Sequence, residues 1–143
     1  MGGIQDAYSL SLSWNEDYKS GNFSTTFDLI YSNGHHGQPD ATGFVVIPSL
    51  KINEKFELVS RYQFTTSNGG GGLRLQKRYE RLATSINDSP DRGDSYHAGY
   101  FGLNHFLDGN DLKLMVGIEV SSMGQGKDEY NAWTIMTGVR MAF

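Results

Sequence analysis

The chain has 143 residues, with 12 Lys and Arg against 16 Asp and Glu, a net charge of −4 and no cysteine. At this length one domain spanning 1–143 is expected, and the lack of cysteine excludes disulfides, thiolate catalysis and Cys-ligated metals. The acidic balance, without a sizeable basic patch, argues against a nucleic-acid partner. Aromatic residues make up 13%, too many for a disordered chain. No stretch approaches the roughly 18–20 apolar residues of a membrane helix. A membrane β-barrel stays open, because its strands hide only alternate residues from water. Met1-Gly2-Gly3 precedes no basic segment or apolar run, so no signal peptide is read there. The chain then either stays inside the cell or is a mature sequence behind a start methionine.

Alternation of period two begins at once. Tyr8, Leu10, Leu12 and Trp14 share one face against Ser9, Ser11 and Ser13, and a turn follows over Asp17–Asn22. Phe23, Thr25, Phe27, Leu29 and Tyr31 then oppose Ser24, Thr26, Asp28 and Ser32. The connection Ser32–Asp40 is longer and holds His35-His36; two adjacent histidines near Asp40 read as a polar loop rather than a metal site. A third strand covers Ala41–Ile52, with Phe44, Val46, Leu50 and Ile52 on the apolar side. Pro48 lies in it and lacks an N–H, which predicts a bulge or a locally unpaired position.

After Asn53-Glu54-Lys55, Phe56, Leu58, Tyr62 and Phe64 face away from Glu57, Val59, Arg61 and Gln63. The pattern lapses across Ser67–Ser95, where Leu73–Ile86 holds a doubtful strand and the basic residues Arg74, Lys77, Arg78 and Arg81. These are read as an outer-loop basic cluster. Alternation returns with Gly99, Phe101, Leu103 and Leu107 against Tyr100, Gly102, Asn104 and Phe106. The turn Asp108-Gly109-Asn110-Asp111 is a hairpin signal. Leu112, Leu114, Val116, Ile118 and Val120 oppose Lys113, Gly117, Glu119 and Ser121. Trp133, Ile135, Val139, Met141 and Phe143 oppose Thr134, Gly138, Arg140 and Ala142.

The expected fold is therefore all-β: a small antiparallel up-and-down barrel of about eight strands, seven clear and one doubtful. With only seven, an antiparallel meander closes through one parallel pair. Three features place the apolar face outward, against lipid. The strands match the 9–11 residues that cross a bilayer when tilted. The other face carries Asp28, Lys51, Glu57, Arg61, Lys113, Glu119 and Arg140, which a dry apolar core would not tolerate. Aromatics gather near strand ends, as interface girdles do, and short and long connections alternate. The seven charges are read as lumen-facing, paired across a narrow interior, with Arg61, Glu119 and Arg140 at comparable depth. Gly117, facing inward, is expected to accept serine, whereas Leu114 and Val116 should reject a charge.

The runs Phe56–Phe64, Gly72–Arg81, Tyr96–Leu107, Leu112–Glu119 and Trp133–Phe143, in that order, resemble the C-terminal part of the phosphate-selective porin O/P-like outer-membrane family. The resemblance covers about residues 41–143. It implies a bacterial outer-membrane barrel for passive diffusion of solutes or anions, with lipid and the barrel assembly machinery as partners and a homo-oligomer as one arrangement. The terminal Phe143 would then be the insertion signal. The chain departs from that family in length and in lacking a ladder of inward arginines, so anion selectivity does not carry over. It can be a natural small relative, a truncated porin or an engineered minimal barrel with a plugged lumen. No catalytic residues, metal or cofactor are assigned. The alternatives are a soluble lipocalin-like ligand-binding barrel and a small outer-membrane enzyme.

Overall fold

The computed structural model describes residues 3–18, 21–69, 72–74, 92–109, 111–125 and 128–142. They form nine strands: β1 (Gly3–Tyr18), β2 (Gly21–His35), β3 (Ala41–Lys51), β4 (Phe56–Ser67), β5 (Leu73–Arg74), β6 (Arg92–Gly93), β7 (Ser95–Asp108), β8 (Leu112–Gln125) and β9 (Asp128–Met141). Seven of them make one sheet in the order β1-β2-β3-β4-β7-β8-β9, and every neighbouring pair is antiparallel. This is the meander that period-two segments joined by short turns produce.

The turns explain themselves locally. At 53–55 the Asn53 side chain accepts hydrogen bonds from the backbone N–H of Lys55 at 2.8 Å and Phe56 at 2.9 Å, an Asx turn. At the β7–β8 hairpin Gly109 takes φ +51°, a region glycine enters without steric cost, and the Asp111 N–H bonds the Asp108 carbonyl. Pro48 has the predicted effect: the β3–β4 ladder passes from Val46↔Tyr62 to Ser49↔Val59, skipping Ile47 and Pro48.

Closure does not follow the sequence expectation. β1 and β9 stand at opposite ends of the strand order. The doubtful strand adds no eighth member to the sheet among the described residues. Leu73–Arg74 pairs instead with Arg92–Gly93 as a separate two-stranded ribbon, and residues 75–86 of that segment lie outside the described residues. The ribbon packs Leu73 against Tyr96, Ala98 and Met123. Those three belong to one face of β7 and β8, so the ribbon lies over that face.

Polarity across the sheet is inverted relative to a water-facing β-protein. Among the described residues the buried apolar cluster is Tyr96, Ala98 and Met123, edged by Leu73, Tyr130 and Ala132. Leu12, Trp14, Phe101, Val120, Trp133 and Ile135 are all exposed, on the opposite face. Aromatic contacts run along that apolar face: Phe27–Phe44 at 6.1 Å, Phe44–Tyr62 and Phe44–Phe64 both at 5.9 Å, and Phe56–His105 at 4.6 Å.

One packing detail corrects the sequence reading. Gly102 and Gly117 are register partners, and the Tyr100 ring lies across both. A Cβ at Gly102 would stand 2.2 Å from the Tyr100 hydroxyl, and one at Gly117 2.4 Å. Gly117 is thus not a tolerant inward position, since its missing side chain is the space the ring occupies. Gly117→Ser is expected to lower stability by about 1–3 kcal/mol, the range for overpacking. A double-mutant cycle with Tyr100→Ala, followed by thermal unfolding in detergent, should recover most of that loss. An equal loss in both backgrounds would mean that the ring is not the obstacle.

Candidate functional site

The polar face is the candidate site. Strand periodicity puts Asp28, Lys51, Glu57, Arg61, Lys113, Glu119 and Arg140 on it, because each occupies the odd phase of its own strand relative to the apolar residues. Register then sets their depth. Arg61, Tyr100, Glu119 and Thr134 form one row across β4, β7, β8 and β9. Lys113 and Arg140 form another, beside Phe106. Six residues separate Glu119 from Lys113, so the rows are roughly 20 Å apart.

The centre of the upper row is an ion pair. Arg61 Nη2 bonds Glu119 Oε2, spanning the intervening strand β7. Glu119 is fully buried, whereas the Arg61 side chain is 33% exposed. The Arg61 guanidinium also sits 5.9 Å from the centre of the Tyr100 ring, within cation–π range. Neighbouring strands lie about 4.8 Å apart, so the pair spans roughly 10 Å, within the joint reach of an arginine and a glutamate, and side chains of five strands share the adjacent space. A trough of about 430 Å³ is lined by Ile47 of β3, Val59 and Arg61 of β4, Tyr100 of β7, Met115 of β8 and Met136 of β9. The polar face is therefore the concave one.

The other charges are handled differently from the sequence reading. Arg140 does not share a level with Arg61 and Glu119; it is the direct register partner of Lys113. Glu57 accepts a hydrogen bond from Asn104 Nδ2 at 2.7 Å rather than from an arginine. Lys51 and Lys113 place their ammonium groups 5.6 and 5.4 Å from the Phe106 ring. Asp28 meets the Ser11 hydroxyl. Each of these groups meets a local partner rather than one across an axis, and among the described residues β1 and β9 stay at the two ends of the strand order. Arg74 is exposed, in β5 opposite Arg92. Lys77, Arg78, Arg81 and Phe143 lie outside the described residues.

The concave face has two halves. On β1–β3 it is a ladder of hydroxyls, with Ser13 near Thr26 at 3.4 Å and Ser24 bonded to Ser49 at 2.7 Å. On β4–β9 it holds Glu57, Arg61, Lys113, Glu119 and Arg140, the methionines and Tyr100, while Asp28 and Lys51 lie on β2 and β3. Sequence periodicity identified the face but not these partnerships, since register alone brings Asn104 to Glu57 and Phe106 to two lysines. Sequence also missed the contact between Tyr62 and His97. The Tyr62 hydroxyl lies 2.8 Å from His97 Nδ1, and the His97 ring is 4.6 Å from Phe64. These residues flank a convex-face groove of about 580 Å³ over Gly99, with Val120 and Trp133 on its far side.

Chemically, the concave face can solvate polar solutes and pair charge. Among the described residues no three His, Asp or Glu side chains group as metal ligands. No family model, no curated protein and no solved structure matches the chain.

Removing Arg61 takes the guanidinium away from a buried carboxylate. Arg61→Ala should cost about 2–4 kcal/mol, toward the lower end because Arg61 itself is partly solvated. The double replacement Arg61→Met with Glu119→Leu should lie within about 1 kcal/mol of the parent. Denaturant titration of the two variants in detergent checks this. Equal destabilisation by both would show that the pair's charge is not what matters.

Proposed function

We propose that the chain is a porin-related β-sheet protein of the bacterial outer membrane, with its convex face against lipid and its concave face lining an interior. The observation that carries this reading is the inverted polarity: Glu119 is fully buried while Trp133, Ile135 and Leu12 are about 60% exposed. In water a contiguous apolar face of this kind would favour association. In hydrocarbon it is the favoured surface. The motifs between Phe56 and Phe143 that resemble phosphate-selective porin O/P-like proteins support the same reading.

Transport, in this proposal, is passive diffusion of small solutes, and it depends on how wide the interior is. In a narrow interior the charged half of the concave face would be filled by Arg61, Glu119, Tyr100, Phe106 and the two lysines. Eight-stranded barrels leave just enough room for side chains. The narrow form is then a structural barrel with a plugged lumen. One observation favours a second reading, a ligand-binding sheet of lipocalin type. The trough between Ile47 and Met136 is mostly apolar, with a single guanidinium at its wall. That reading needs a convex face that tolerates water.

Leu114→Arg and Val116→Arg should each prevent folding into lipid vesicles, since a cation on a lipid-facing position near the midplane costs about 2–4 kcal/mol. Gel-shift assays of folding into vesicles report it, and normal folding of both variants would place these residues away from lipid. Planar-bilayer recording of the purified chain tests the interior. The plugged form predicts no steady channels. Porin-like conductance would require a wider assembly.

A further inference from the structure

One glycine on the apolar face leaves its space unfilled. Register places Tyr62, Gly99, Val120 and Trp133 in one row across β4, β7, β8 and β9. Among the described residues, a Cβ at Gly99 would meet only Val120 Cγ2, at 3.8 Å. Gly102 and Gly117 differ, because the Tyr100 ring occupies their space. The gap at Gly99 is the floor of the groove of about 580 Å³ between Tyr62 and Trp133. The next row toward the longer connections is Phe64, His97, Ser122 and Asn131. Its three polar members also line the groove. A single groove thus has an apolar slot and, two residues along the strands, a hydrogen-bonding end.

We propose that this groove binds a glycolipid of the surrounding membrane, with an acyl chain in the Gly99 slot and the sugar against the polar row. The donors and acceptors select the head. The Tyr62 hydroxyl lies 2.8 Å from His97 Nδ1, so Nε2 is the ring nitrogen left for a ligand. A sugar hydroxyl serves Nε2 in either tautomer, because it both donates and accepts. Ser122 donates to Glu129 Oε1 at 2.8 Å, which sets a carboxylate beside the polar row. Its second oxygen can accept from another hydroxyl. The same carboxylate repels a phosphate, and the row itself contributes no lysine or arginine to hold one. The Asn131 side chain is exposed and adds an amide donor and acceptor. Trp133, 66% exposed, offers an indole face on which the C–H side of a sugar ring can pack, with an N–H at its edge. From His97 to Asn131 is two strand spacings, roughly 10 Å, which is room for one or two sugar rings.

The inference rests on the membrane reading for the source of the ligand. A chain that stays monomeric without detergent overturns that reading, whereas loss of the site in a chain that folds into vesicles overturns the inference alone. The test uses the full chain refolded in micelles of an uncharged polyethylene-glycol dodecyl ether, titrated with dodecyl maltoside as the probe. The NMR signals of the Trp133 indole N–H and the Asn131 side-chain amide should shift and saturate. Native mass spectrometry should retain one maltoside per chain. Gly99→Leu fills the slot and should weaken binding at least tenfold. Asn131→Ala should weaken it about fivefold, the worth of one hydrogen bond; because Asn131 is exposed, this variant keeps the test decisive should Gly99→Leu misfold. Dodecylphosphocholine, with the same tail and a phosphate head, should bind at least tenfold more weakly than the maltoside. Shifts that grow without saturating would mean bulk detergent only. Equal binding of the two detergents would mean a tail slot without sugar recognition, and parent-like affinity in either folded variant would place the probe elsewhere. Each of these results would overturn the proposal.

Discussion

A sheet must satisfy its backbone sideways and its two faces separately, and this chain meets the second demand at Glu119. That carboxylate is fully buried and bonded to Arg61 across the width of β7. For the bond to span a strand, both side chains must lean over the Tyr100 position between them. Tyr100, Met115 and Met136 line the same face beside Arg61, while the apolar side chains of the other face stay exposed. Gly102 and Gly117 leave room for the Tyr100 ring, because any side chain there would collide with it. Buried ion pairs contribute little net stability but are expensive to break. The pair is thus better regarded as a constraint on shape than as a source of stability.

Much of the architecture was legible in the sequence because strand periodicity is a local signal. Tyr8–Trp14, Phe23–Tyr31 and Leu112–Val120 alternate so regularly that their direction, their faces and the antiparallel meander follow from the residues alone. Asn53 and Gly109 mark their turns for equally local reasons. Depth and partnership are not local. Arg140 reads as a plausible neighbour of Arg61 until the register pairs it with Lys113. Gly117 reads as permissive until the tyrosine two residues before its partner Gly102 is seen to cover both. Closure is the least local property, and it was where the sequence reading failed: Leu73–Arg74 turns aside to pair with Arg92–Gly93 and supplies no eighth strand to the sheet.

The two halves of the concave face suit different tasks. The hydroxyl ladder on β1–β3 presents small groups that pair with one another and occupy little space. The charged half on β4–β9 presents long side chains held by specific contacts, among them Lys113 beside Phe106, where Lys51 of β3 also reaches, and Asn104 bonded to Glu57. Opposed across a narrow interior, small groups would face large ones, an arrangement that packs well. The Leu73 ribbon adds a lid of apolar contacts over Tyr96 and Met123 at the end with the longer connections. Each feature favours a filled interior, which is why the proposed barrel is expected to be structural unless it joins a wider assembly.

The central claim is that the apolar face meets lipid and the concave face meets an enclosed interior. Spin labels placed one at a time at consecutive positions from Met115 to Val120, in the chain folded into lipid vesicles, test it most directly. Collisions with lipid-soluble oxygen should peak at Val116, Ile118 and Val120. They should fall at Met115, Gly117 and Glu119, giving an oscillation of period two. The same oscillation with its phase reversed, or labels at all six positions equally open to a water-soluble relaxant, would contradict the account.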